Sequence, residues 1–116
     1  MQYTMKLFEK PYRDLEQGKK TIELRLCDKK RDSIREGDII IFYLYGKADS
    51  FIKTRVIHIY KFNSFTELYK ELPLEKCGYS EKELKNADPA DMNAYYSVEE
   101  QSKYGVIGIE VEVIRN

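Results

Sequence analysis

The run from Val106 to Ile114 constrains the fold more than any other segment. Ile107, Ile109, Val111 and Val113 alternate there with Glu110 and Glu112, the period-two pattern of a strand with one buried face. A strand needs a partner, yet the residues before it read as helices. Ser64-Phe65-Thr66-Glu67, Ser80-Glu81-Lys82-Glu83 and Ser97-Val98-Glu99-Glu100 are capping boxes, with serine at the N-cap and glutamate three positions on. They open helices to about Leu72, from Ser80, and to Lys103. Asp88-Pro89 starts a further short helix through Met92 and Tyr95. The last strand must cross this helical insert and return to strands in the first half.

Those strands are legible. Residues 3–9 predict a strand with Met5 and Leu7 on one face and Lys6 on the other. Pro11 opens a helix over 11–17, which Gly18 closes. Thr21-Ile22-Glu23-Leu24-Arg25-Leu26 alternates strictly, with Ile22, Leu24 and Leu26 opposite Thr21, Glu23 and Arg25. Residues 28–36 form a charged connection. Gly37-Asp38 turns the chain into a buried strand, Ile39 to Tyr45, and residues 46–50 turn it again. Phe51 to Phe62 is a long strand with Ile57 and Ile59 on one face and Val56, His58 and Tyr60 on the other. Strands, a helical insert and a returning strand predict an α+β fold, a small mixed β-barrel of about five to six strands with helices packed at one side or opening. Barrel closure would also remove exposed strand edges.

The 116 residues suit one domain, 1–116. Hydrophobic residues are 42% and charged residues 34%, an ordinary globular balance. No apolar run approaches the ~20 residues that span a bilayer, and no leader pattern opens the chain, so a cytoplasmic protein without membrane contact is expected, a monomer by default. Cys27 and Cys77 form no C-x-x-C pair, and with one histidine they complete no usual zinc set; they read as free thiols, and neither metal nor cofactor is expected. His58, alone among isoleucines, reads as a surface or half-buried residue.

Net charge is zero, but residues 1–62 carry 14 Lys and Arg against 9 Asp and Glu, and residues 63–116 carry 6 against 11. That asymmetry allows a basic cleft on a neutral protein. The strand face Thr21-Glu23-Arg25 sets a hydroxyl, a carboxylate and a guanidinium in order, with Lys20 just ahead. Arg25 suits a phosphate or base edge, Lys20 a phosphate, and Glu23 and Thr21 suit orienting roles. A solvated strand face gives the same alternation. Among ten tyrosines, Tyr95, Tyr96 and Tyr104 flank the last helix, where they either stack a base or pack helices onto the barrel. Lys29-Lys30-Arg31 reads as a solvated loop or a backbone contact at the cleft edge. No phosphate-cradling glycine loop, H-E-x-x-H or dinucleotide fingerprint is present.

Gly18-Lys19-Lys20-Thr21-Ile22-Glu23-Leu24-Arg25 resembles the signature of the ASCH family, relatives of the PUA fold. So do the helix Pro11 to Gly18 before it, Gly37-Asp38-Ile39-Ile40-Ile41-Phe42 after it, and the tract Phe62 to Leu68. The ending Tyr95 to Ile109 is similar to a bacterial and archaeal single-domain subgroup. The resemblance implies a PUA-like barrel with a cleft beside the first helix, lined by the Lys20–Arg25 strand, and RNA or a nucleotide as partner. It implies Lys20, Thr21, Glu23 and Arg25 as ligand-binding residues, and Tyr95 and Tyr104 join them as candidates for stacking a base from their places beside the last helix and the closing strand. One group of relatives hydrolyses N4-acetylcytidine with a threonine nucleophile helped by a lysine and a helical glutamate. Lys20 matches that lysine, but Glu23 stands at the nucleophile position, and a carboxylate there serves at best as a general base for water. Lys20 and Glu23 are the catalytic candidates under that alternative, with Thr21 as a stand-in nucleophile and Glu75 as the helical acid by loose position. A ribonuclease and a protein-interaction module remain further alternatives.

Overall fold

A computed structural model describes residues 1–115. Five strands, β1 (Gln2–Leu7), β2 (Ile22–Leu26), β3 (Ile39–Leu44), β4 (Lys47–Phe62) and β5 (Val106–Val113), form one sheet in the order β1-β3-β4-β5-β2. β1 runs parallel to β3, and the other neighbours are antiparallel. The mixed sheet curls strongly into a half-barrel, and β1 and β2 are its edges. The returning strand β5 lies between β4 and β2, so the run that most constrained the topology sits inside the sheet. Its Val106, Ile107 and Ile109 are fully buried.

Two apolar clusters cover the two faces of the sheet. The inner one gathers Met5, Leu7, Ile40, Phe42, Val56 and Ile109 under α1 (Glu9–Glu16), whose Tyr12 and Leu15 plug it. The outer one packs Ile22, Leu24 and Leu26 of β2 against Phe65 and Leu68 of α3 (Phe65–Glu71) and Leu72, which caps that helix. Fully burying one such side chain is worth about 1.5–3 kcal/mol. Gly108 of β5 lets α3 settle closely: a Cβ there would lie 2.7 Å from Leu72 Cδ1. Glycine in a strand marks such an approach.

Helix ends follow side-chain capping. Ser80 and Ser97 head complete boxes at α4 (Glu81–Leu84) and α5 (Val98–Tyr104). At α3 the box is half made: Ser64 accepts from the Glu67 N–H, while the Glu67 carboxylate turns to the Asn63 N–H. The helix begun by Asp88-Pro89 is a 3-10 turn, Pro89–Ala94.

Four local expectations need correction. The first helix starts at Glu9 rather than Pro11, with extended Phe8 at its N-cap. The connection 28–36 contains a short helix, α2 (Lys29–Asp32), because the Asp28 side chain caps the Arg31 N–H. The turn after β3 is Tyr45-Gly46 and not 46–50, since Gly46 takes a positive φ of 83° and β4 starts at Lys47. In β4, Ile57 is a bulge residue: Val56 pairs with Val111 and His58 with Glu110. The extra residue shifts the alternation, so Val56 and Ile59 share the inner cluster instead of facing apart.

Candidate functional site

The two sheet edges do not pair as strands, and a cleft of about 550 Å³ opens between them. One wall is the end of β1, Lys6 to Phe8, with Lys10, Pro11 and Asp14 of α1. The other is Glu23, Leu24 and Arg25 of β2. The insert supplies the remainder, including Cys77, Tyr79, Met92, Tyr95 and Tyr96.

The polar face of β2 is not solvated. Glu23 is only 6% exposed, because the insert and β1 flank it. Lys20 Nζ reaches Glu23 Oε1 at 2.8 Å. On the other side, Arg25 donates from Nε to Glu23 Oε2 at 2.7 Å, with Nη2 2.6 Å from the same oxygen. Arg25 Nη2 also donates to the Lys6 carbonyl at 2.9 Å, crossing from one edge strand to the other. Side-chain exposure is 11% for Lys20 and 16% for Arg25. Burial alone would raise the Glu23 carboxyl. The charges of Lys20 and Arg25 and their hydrogen bonds outweigh it and hold the pKa below the usual carboxylate range. The trio therefore presents one buried anion between two cations, a net single positive charge at the cleft wall.

Local backbone geometry sets this up. Gly18, at φ 81°, ends α1, and the Lys19 and Lys20 N–H groups return to the Asp14 carbonyl. The Thr21 N–H then donates to the Lys76 carbonyl at 2.8 Å, pinning the start of β2 to the 3-10 turn Leu74–Cys77. Gly78, at φ 105°, ends that turn, and a Cβ there would sit 3.4 Å from Lys20 Cδ.

The cleft brings together Lys20, Glu23, Arg25 and Tyr95. Tyr95 stands at the rim, largely exposed. Two other expected residues lie elsewhere. Thr21 lines a small apolar gap with Leu15, Phe42 and Val111, and its hydroxyl is buried without a partner among the described residues. Tyr104 belongs to a separate polar groove with Cys27, Lys61 and Lys103, whose ammonium lies 5.1 Å from its ring. Glu75 is exposed and off the cleft wall. His58 is exposed, with Nδ1 3.7 Å from Glu36.

Sequence reasoning offered Tyr95 and Tyr96 of the insert but missed Cys77, Tyr79 and Met92 beside them. Tyr79 hydrogen-bonds Tyr69 through their hydroxyls, and Tyr96 stacks on Phe65 at 6.2 Å, so each ring is braced from behind while lining the cleft. Lys10 pairs with Asp14 at 2.9 Å and comes within 4.0 Å of Glu83. Cys77 also touches the cleft, but burial pushes its thiol up to about 12, which keeps it protonated and inert. Among the described residues, no three His, Cys, Asp or Glu side chains gather to hold a metal ion. No helix is long and apolar enough to cross a membrane.

No curated protein sequence matches the chain. Solved structures do, among them the following two. The crystal structure of hypothetical protein PH0355 is 34% identical with a TM-score of 0.82, over 98% of this chain and 100% of that one. The solution structure of protein PF0455 from Pyrococcus furiosus is 34% identical with a TM-score of 0.70, over the full length of both. The model of the ASCH domain, a PUA-like family generally linked to RNA binding, matches residues 5–115. With nearly the whole chain matched, this protein belongs to the ASCH domain family.

Proposed function

We propose that the cleft between the two sheet edges binds a nucleobase with its sugar-phosphate, from RNA or from a nucleotide, and that Lys20, Glu23 and Arg25 form its polar wall. The observation that carries this reading is the buried, ionised Glu23 held between Lys20 and Arg25 beside an open, tyrosine-lined cleft. Burying three charges is costly, and here they face a cavity of the size that small-molecule sites use. Glu23 Oε1, engaged by Lys20 alone, keeps a lone pair that can accept from a base amino group. Arg25 is oriented by its Glu23 and Lys6 contacts and lies beside Tyr96, which aims its guanidinium along the cleft wall, where it suits a base edge or phosphate. Tyr79, Tyr95 and Tyr96 supply rings for stacking.

Hydrolysis has less support. Glu23 is a weak base, since its pKa is held down. Neither Thr21, whose hydroxyl is buried, nor Glu75 lines the cleft.

The test is an amide-shift titration at low salt with short single-stranded RNAs, then cytidine, then N4-acetylcytidine. Binding should move peaks of residues 19–25, 77–79 and 92–96, and added salt should reverse it. Arg25→Ala should abolish those shifts. Absence of any shift there sinks the proposal, and shifts by N4-acetylcytidine alone, with acetate released, replace it with hydrolysis.

A further inference from the structure

Outside the cleft, the surface of β1, β3 and β4 has a composition that a solvated sheet face does not need. The register lines up Lys6, Tyr43 and Phe51 in one row, and Thr4, Ile41 and Lys53 in the next. All six point outward: their strand neighbours Met5, Phe42 and Ile52 are buried, while these are exposed or half-buried. No carboxylate stands in either row. The next row adds Arg55, which faces Glu112 of β5 at 3.8 Å, and Asp49 stands exposed on β4 two residues before Phe51.

This face runs directly into the cleft. Tyr45 follows β3, and its N–H donates to the Leu7 carbonyl at 2.8 Å. Its ring meets Phe8 at a centroid distance of 5.1 Å, and Lys6 Nζ lies 5.8 Å from it. Phe8 is 61% exposed and Tyr45 60%, although each is large and apolar. Phe8 and Lys6 also line the cleft, so one short segment borders both surfaces.

We infer that this aromatic and basic face carries the nucleotides adjoining the one in the cleft, so that the ligand is a single-stranded polynucleotide several residues long and not a free nucleoside. The inference rests on the cleft reading above. Rings with interleaved cations, and no acid within the two rows, suit stacked bases on a phosphate chain, and exposed apolar area of this kind marks a contact surface. The cation rows favour a polyanion over a second copy of this neutral chain.

Fluorescence anisotropy with labelled RNAs of one, three, five and seven nucleotides tests it, on the wild type and on Tyr45→Ala, Phe51→Ala and Lys53→Glu. All three side chains are exposed; Phe51 and Lys53 stand clear of the cleft wall, whereas Tyr45 packs on its Phe8. Affinity should rise with length, and each variant should weaken the seven-nucleotide RNA about fivefold or more, with Phe51→Ala and Lys53→Glu leaving the mononucleotide unchanged. If the mononucleotide binds as tightly as the longer RNAs, and the variants bind all of them normally, the platform is refuted and the cleft reading stands. If longer RNAs bind in a Tyr45-dependent way but Arg25→Ala has no effect, the platform survives and the cleft reading falls. Sedimentation showing a dimer that Tyr45→Ala dissociates, with RNA binding unaffected, assigns the face to self-association and overturns the inference.

Discussion

Arg25 of one edge strand donates to the main-chain carbonyl of Lys6 on the other, at 2.9 Å. A guanidinium thus stands where a barrel would have ladder hydrogen bonds, and the same group holds Glu23. Arg25→Lys keeps the charge but loses the fork that serves both acceptors. Losing one such charged bond costs about 1.5–3 kcal/mol, so the variant should fold with a lowered midpoint in urea. Arg25→Ala should lose more, and amide shifts at Lys6 and Leu7 should report the freed carbonyl in both.

Glu23 makes stability depend on pH. Its folded pKa lies below the unfolded value, so its contribution is complete above the ordinary glutamate pKa of about 4.3. That contribution declines as pH falls below that value through the folded pKa. Glu23→Gln removes the dependence and leaves two cations buried together, a loss on the order of 3 kcal/mol. Urea midpoints from pH 7 to pH 3 should converge for wild type and variant at the acid end. Parallel curves would show that Glu23 is not the group responsible.

Gly108→Ala tests how α3 sits on the sheet. The added methyl meets Leu72 at 2.7 Å and Ile22 at 3.4 Å, and overpacking of this kind costs about 1–3 kcal/mol. Combining it with Leu72→Ala should recover part of the loss from the glycine change. Simple additivity of the two would place the clash elsewhere.

The two thiols should differ in reactivity. Burial raises both, but Cys27 is half-exposed while Cys77 is buried. Iodoacetamide at pH 8 should alkylate Cys27 first and Cys77 only on unfolding, read by mass spectrometry of peptides.

Periodicity and capping made the β-rich half, the helical insert and the returning β5 legible, because each depends on neighbours within a few residues. The Ile57 bulge was hidden, since it is set by the β4–β5 register rather than by local sequence. At the site, alternation identified Glu23 and Arg25 as face-mates, and Lys20 followed from its place ahead of the strand. It could not reveal that the face is buried, which depends on Tyr79, Met92 and Tyr96 arriving from 50 or more residues away. Thr21 shares that alternation yet, one residue ahead of β2, lines an apolar gap against Leu15, Phe42 and Val111 rather than the cleft. Tyr104 was chosen by proximity to Tyr95 in the chain, but α5 carries it to another groove.

The line between β1 and β2 is fastened by side chains alone, whereas every other strand boundary of the sheet is fastened by the backbone. Widening that line by an ångström or two breaks no ladder bond and disturbs only a guanidinium and its partners. Opening at that line is thereby decoupled from the integrity of the scaffold: it asks for a side-chain rearrangement, while the rest of the sheet keeps its register.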